Sequence, residues 1–233
     1  MSRMRFVLLA VVLLVTAVVV TGCCPWCTWI TDRRVELTGL RGSGRLVTRE
    51  LDFEGFTRLE ISHAFEVDLV QSRSYSVVIT ADDNVIDDVE VTMSRDTLRI
   101  GMKRLFLNFQ GVTLRAEVSM PTLEALELSG ASRLTGSMEA DDIGFDISGA
   151  SRLTLRGGGA QMRLDASGAS QIDLSAFVVD DADVDISGAS QATVNVRGRL
   201  DAEASGASQL EYLGNPSMGR IETSGASSIS PAR

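Results

Sequence analysis

Six carboxylates recur in this 233-residue chain at the same point of one repeated motif. Glu127, Asp146, Asp165, Asp185, Glu203 and Glu222 each stand two residues before a Ser-Gly-Ala-Ser unit, and the units begin at Ser129, Ser148, Ser167, Ser187, Ser205 and Ser224. Carboxylates at fixed spacing can hold a hard cation, move a proton, or carry charge in water. Two residues before four of them, on the same side of an extended chain, stand Arg163, Asp183, Asp201 and Arg220. Asp183, Asp185, Asp201 and Glu203 are therefore expected to gather on adjacent repeats, where a weak Ca²⁺ site is one reading. A solvated acidic face neutralised by Arg163 and Arg220 is the other, and it weighs more. Arg133 and Arg152, which follow the first two units, are expected to offset part of the charge.

Other catalytic groups are scarce. The second serine of each unit is followed by Arg-Leu, Gln-Ile or similar pairs, so the Gly-x-Ser-x-Gly of a nucleophile elbow is absent. Six equivalent serines point to structure, because catalysis needs one activated copy. His63 is the only histidine and Lys103 the only lysine, which leaves one place for a His-based triad or zinc site. His63 lies in Ser62-His63-Ala64 and is read as a turn residue. Phosphate-cradling glycine motifs are missing, and Gly157-Gly158-Gly159 reads as a flexible loop between repeats. No catalytic residue, cofactor or metal is expected.

The elements that must position these groups are strands and turns. Leu59 to Val70, Tyr75 to Thr80, Val89 to Met93, Leu98 to Met102 and Val112 to Met120 alternate apolar and polar residues. Asp82-Asp83-Asn84, Arg95-Asp96 and Gly111 punctuate them. The Ser-Gly-Ala-Ser units follow at intervals of 19, 19, 20, 18 and 19 residues, the period of a solenoid. Apolar residues flank each ladder acid, and Leu134, Leu153, Ile172, Ala192, Leu210 and Ile229 stand five residues after each first serine. That pattern predicts strand, bend, strand, with the apolar side inward. Glycine supplies the bend's backbone conformation, and alanine is expected to fit a corner too narrow for larger side chains. The serine hydroxyls can bond local backbone or stack between coils. About ten coils over residues 42–233 would build a rod some 45–50 Å long at the usual strand spacing. Like charges at that spacing in water would repel by roughly 0.9 kcal/mol per pair.

The first residues form an address. Arg3 and Arg5 precede an uncharged run from Phe6 to Val20, and Val20-Thr21-Gly22-Cys23 resembles the lipobox of bacterial lipoproteins. The resemblance implies a signal peptide over residues 1–22, lipidation of Cys23 and a membrane anchor through its acyl chains. An uncleaved span over Phe6 to Ile30 is the alternative. Cys24, not Asp, follows the lipidated position, which implies the outer membrane in a host with two membranes. Cys24-Pro25-Trp26-Cys27 is a CxxC without a surrounding βαβ pattern, so a tether cysteine pair is expected rather than a redox centre. Trp26 and Trp29 suit the headgroup level. Residues 23–41 read as a tether and 42–233 as one domain. The chain carries −9, or −11 without residues 1–22, which disfavours nucleic acid as a partner.

Gly42-Ser43-Gly44, Phe53 with Phe56-Thr57-Arg58-Leu59-Glu60-Ile61, Thr80-Ala81-Asp82-Asp83-Asn84, Asp96-Thr97-Leu98-Arg99-Ile100 and the Ser-Gly-Ala-Ser coils together resemble the putative auto-transporter adhesin, head GIN domain family. The resemblance covers about residues 42–233. It implies an all-β, right-handed, single-stranded parallel β-helix with coils of about 19 residues, in the bacterial cell envelope. The function expected is a non-enzymatic lipoprotein, an adhesin or binding scaffold for a protein or glycan ligand, on the periplasmic or surface side of the membrane. A polysaccharide lyase or hydrolase on a β-helix is the alternative, although both tryptophans lie near the anchor and Tyr212 is the only tyrosine among the coils. Envelope-stress sensing or complex assembly through the open end of the rod, where Pro231 would blunt the edge, is a third.

Overall fold

The computed structural model describes residues 35–36, 39–106 and 109–232. The expectations for residues 1–22, Cys23, Cys24 to Cys27, Trp26 and Trp29 fall outside them. Val35–Glu36 pairs in parallel with Leu105–Phe106, and Leu40–Arg41 with Phe109–Gln110, so strand pairing begins before residue 42.

Two walls of strands enclose one core. The first wall runs from Leu46–Leu51 through Ser76–Asp82, Leu114–Met120 and Glu66–Gln71 into the opening halves of Arg133–Ile147, Arg152–Ala166 and Gln171–Ile186. It ends in Gln191–Val196, Gln209–Leu213 and Ser228–Pro231. The second wall runs from Val89–Ser94 through Thr97–Met102, Arg58–Ile61 and Ala125–Leu128 into the closing halves of the same long strands. It ends in Arg199–Ala204 and Ser217–Thr223.

All pairing from Ala125 onward is parallel, as the repeat requires, and the chain is a β-solenoid of about six turns. The ten coils expected from residue 42 are not reached. Antiparallel partners replace coils at the amino-terminal end: Leu46–Leu51 against Ser76–Asp82, Ser76–Asp82 against Leu114–Met120, and Val89–Ser94 against Thr97–Met102. The last of these is a hairpin turned at Arg95-Asp96, with Arg95 at φ 57°. The 19-residue period is absent there because a hairpin returns the chain directly, without a circuit of the core.

Inside the coils two inward columns keep their register from one coil to the next. Val67, Leu134, Leu153, Ile172, Ala192, Leu210 and Ile229 form one inward column. Leu59, Leu126, Phe145, Leu164, Val184 and Ala202 form another on the facing wall. Phe145 packs edge-on against Phe177, with ring centroids 6.1 Å apart. A buried side chain of Leu or Phe size contributes about 1.5–3 kcal/mol, so stacked columns of them hold the coil closed. The extra residue of the 20-residue interval is absorbed where the register with Gln171–Ile186 shifts between Thr154 and Gly157.

The corners depart from expectation in which residue fills them. Gly130, Gly149, Gly168, Gly188, Gly206 and Gly225 all have φ between 73° and 78°, open to glycine at little cost. A Cβ on Gly149 would lie 2.4 Å from the Gly130 carbonyl oxygen, so the coils stack too closely for any other residue. The alanine that follows is exposed, not wedged in a narrow corner; its N–H donates to the preceding glycine carbonyl at 2.7–2.8 Å, as from Ala150 to Gly130. The side chain that turns inward is the second serine. Ser132, Ser151, Ser170 and Ser208 are buried, and each Oγ donates to the carbonyl three residues earlier at 2.8–2.9 Å. Ser190 is equally buried, yet its Oγ has no partner.

Gly157, Gly158 and Gly159 are not a flexible loop. They lie within a paired strand, in register with Met138 to Ala140, and a Cβ on Gly157 would come 2.0 Å from the Met138 carbonyl oxygen. Close approach between coils explains the glycines there.

Candidate functional site

The second wall carries the acidic column on its outer face. Glu127, Asp146, Asp165, Asp185, Glu203 and Glu222 stack in unbroken register, one per coil. The column continues one rung further than the repeat suggests, because Glu60 pairs with Glu127. Arg99 then closes the end, its Nε 2.5 Å from a Glu60 oxygen.

This extra rung reveals a seventh, degenerate corner. Ile61 pairs with Leu128, and the Ala131 N–H donates to the His63 carbonyl at 2.7 Å, as later alanines donate to glycine. His63 therefore occupies the glycine position, with φ 72°. The signal was present in Glu60-Ile61-Ser62-His63-Ala64: an acid two residues before a serine, and an alanine two after it. The sequence reading of His63 as a turn residue holds, and its Nδ1 lies 2.8 Å from the neighbouring Ser62 Oγ. Lys103 is used locally, its Nζ donating to the Asp87 carbonyl at 2.7 Å beside a short 3₁₀ turn, Ile86–Asp88.

Beside the acids runs a second outward column: Arg58, Ala125, Gly144, Arg163, Asp183 and Asp201. Ala125 and Gly144 leave a trough in it, bounded by Arg58 and Arg163. It opens into a groove of about 1010 Å³ that also meets Glu139, Asp142, Asp181 and Arg199. Glu127 sits between Glu60 and Asp146, and its carboxyl is pushed above the usual range, first by partial burial and then by those two neighbours.

The four-carboxylate cluster forms in part. Asp183 lies beside Asp201 and Asp185 beside Glu203. Asp201 is committed elsewhere, however. Arg199 grips it with Nε and NH2 at 2.6 and 2.8 Å, and the Arg220 backbone N–H donates to it at 2.6 Å. Those bonds hold its pKa down to about 2. Among the described residues no group of three or more His, Cys, Asp or Glu side chains is placed to hold a metal ion.

The neutralising cations also differ from expectation. Arg163 does serve, with Nε 2.9 Å from Asp165 and NH1 3.9 Å from Asp183. At the other end Arg199 does the work expected of the Arg220 guanidinium. A register shift between Leu200 and Ala202 sets Gly219-Arg220 against Asp201 and presents the backbone there. Arg133 and Arg152 lie on the first wall, where Arg133 faces Glu66 at 4.0 Å and Arg152 donates to Gln171 at 2.9 Å, so neither offsets the acidic column.

Comparison with known proteins gives a consistent answer. A putative adhesin from Bacteroides fragilis shares the fold at TM-score 0.68 and 17% identity, covering 83% of this chain and 100% of its own. Putative adhesins from Parabacteroides distasonis and Parabacteroides merdae follow at TM-scores 0.55 and 0.53 and identities of 13% and 14%. Each pairing covers 84% of this chain, with 100% of the first and 99% of the second. No curated protein matches the chain. The family model for the putative auto-transporter adhesin, head GIN domain, matches residues 55–216, and the chain belongs to that family.

Proposed function

We propose that this protein is a non-enzymatic lipoprotein of the bacterial envelope, anchored through Cys23, whose β-solenoid presents rigid outward columns as an adhesin or binding scaffold. One observation carries the reading. Every Ser-Gly-Ala-Ser corner is tied to the coil before it by an Ala N–H to a carbonyl at 2.7–2.8 Å, so the side chains on both walls stand at fixed spacing. A backbone ordered in advance loses little freedom on binding, which favours recognition over a wide surface. Family membership supports the same role, and the lipobox-like Val20-Thr21-Gly22-Cys23 supports the anchor.

Two measurements test it. Cells expressing the protein and fed an alkyne-tagged fatty acid should label it, and Cys23→Ser should abolish labelling and release the protein from the membrane fraction. Labelling that survives Cys23→Ser overturns the anchor. Cells lacking the protein should adhere less to their natural surface, and surface adhesion equal to that of the parent overturns the scaffold role.

A further inference from the structure

The outer face of the first wall differs from the acidic wall in kind. Arg152, Gln171, Gln191 and Gln209 form one column, in register across four coils. Thr154, Asp173, Thr193 and Glu211 form the next. Between them lies a trough of about 440 Å³. The three glutamines are exposed, and the apolar residues between the columns, Leu153, Ile172 and Ala192, point inward and are buried.

We propose that this trough binds an extended, uncharged polysaccharide lying along the solenoid axis; the proposal rests on the binding-scaffold reading and names its ligand class. A carboxamide both donates and accepts, so Gln191 can pair with a sugar hydroxyl or acetamido group in either sense. Gln171, whose oxygen accepts from Arg152, offers its amide N–H, and Gln209, which donates to Glu211, offers its carbonyl. Threonine hydroxyls add a second donor and acceptor on each of two rungs. Rungs stand about 4.8 Å apart, so a polymer of repeating units meets a carboxamide on three successive rungs, from Gln171, Gln191 and Gln209, beside Asp173, Thr193 and Glu211 in turn. A protein partner would be expected to meet exposed aromatic or apolar anchors, and the trough offers none. Nucleic acid is disfavoured by the charge of −9. Without an aromatic platform each sugar is held weakly, so affinity must come from several rungs at once.

The test uses the full-length protein in detergent on an array of uncharged linear polysaccharides of differing linkage. Titration then follows with graded oligomers, two to eight units long, of the polymer best retained. Affinity should rise with length and level off near about four units, the number of rungs in the trough. Gln191→Ala combined with Thr193→Ala should weaken binding on the order of tenfold, with the thermal midpoint unchanged. Asp183→Asn on the opposite wall should leave binding within about twofold. No retained polysaccharide, binding independent of oligomer length, or an equal loss from Asp183→Asn overturns the proposal. So does capture of a protein through Gln191 and Thr193 in place of a glycan. Cell adhesion is measured separately, so the scaffold role can stand where the glycan ligand fails.

Discussion

The carboxylate of Asp82 accepts the backbone N–H of Gly44 at 2.7 Å, and its second oxygen accepts the N–H of Thr113 at the same distance. Asp82 is fully buried, and the turn around it holds the segment before Leu46–Leu51 in place. Ser43 Oγ donates to Asp83, Asn84 Oδ1 accepts the Ser43 N–H, and the Asn84 side-chain amide donates to the Arg41 carbonyl. A Cβ on Gly42 would lie 2.8 Å from an Asp82 oxygen, so glycine is required there too. Gly42-Ser43-Gly44 and Asp82-Asp83-Asn84 are thus two halves of one clasp. Asp82→Ala removes the carboxylate that holds the Gly44 and Thr113 N–H groups and should cost about 1.5–3 kcal/mol in urea unfolding. A loss below about 1 kcal/mol would show that water replaces the carboxylate.

Corner glycine and corner alanine should respond in opposite ways. Gly149→Ala meets both a φ of 73° and the Gly130 carbonyl, and should destabilise by more than about 2 kcal/mol. Ala150→Ser adds an oxygen to an exposed Cβ and should stay within about 0.5 kcal/mol. Thermal unfolding of the two variants side by side measures the contrast.

The second serines offer a matched pair. Ser151 Oγ is satisfied by the Ser148 carbonyl, so Ser151→Ala should cost about 1 kcal/mol. Ser190 Oγ is buried without a partner, so Ser190→Ala removes an uncompensated polar group and should raise stability by about 1 kcal/mol. Equal destabilisation of both variants would mean that Ser190 finds a hydrogen bond in solution.

Legibility in the sequence followed the strength of the period. The six coils, the inward column from Leu134 to Ile229 and the acidic column could be read because a 19-residue repeat fixes register by itself. Glu60 and His63 escaped because their corner has lost the glycine, the strongest mark of the motif. Arg199 escaped because sequence spacing points to Arg220 for the neutralising role and does not show the register shift that turns the Arg220 backbone toward Asp201. The antiparallel amino-terminal end was visible as strands, and its pairing was not, since alternation is the same in either direction. Gln171, Gln191 and Gln209 stand in the sequence only as the residues after a second serine, until the walls separate their column from the acids.

The acidic wall should give two pH effects of opposite sign. The Glu127 carboxyl titrates above its ordinary value, so its proton is bound more tightly in the folded state. Its contribution favours folding below the unfolded pKa and is lost as pH rises through the raised one. Glu127→Gln should therefore stabilise at pH 7, with the gain vanishing near pH 4. Asp201 is depressed to about 2, so its contribution is present above 3.8 and is lost as pH falls toward 2. Asp201→Asn should flatten the acid limb of the stability curve in that window. Unfolding midpoints of both variants and the parent between pH 2 and 8 test both signs.

Calcium offers the sharpest check on the acidic cluster, because Arg199 and a cation would compete for the same oxygens. In the parent, the guanidinium and the Arg220 N–H take both oxygens of Asp201, and Arg163 lies 3.9 Å from Asp183. A divalent ion would have to displace those bonds to gather the several oxygens it needs. Millimolar calcium should therefore leave the thermal midpoint of the parent where chelator leaves it. Arg199→Met removes the competing cation, so the same calcium should raise that variant's midpoint by a few degrees. A calcium-dependent rise in the parent would mean that the cluster is a metal site despite its arginines, and no rise in either would mean that charge spacing alone keeps the four carboxylates apart.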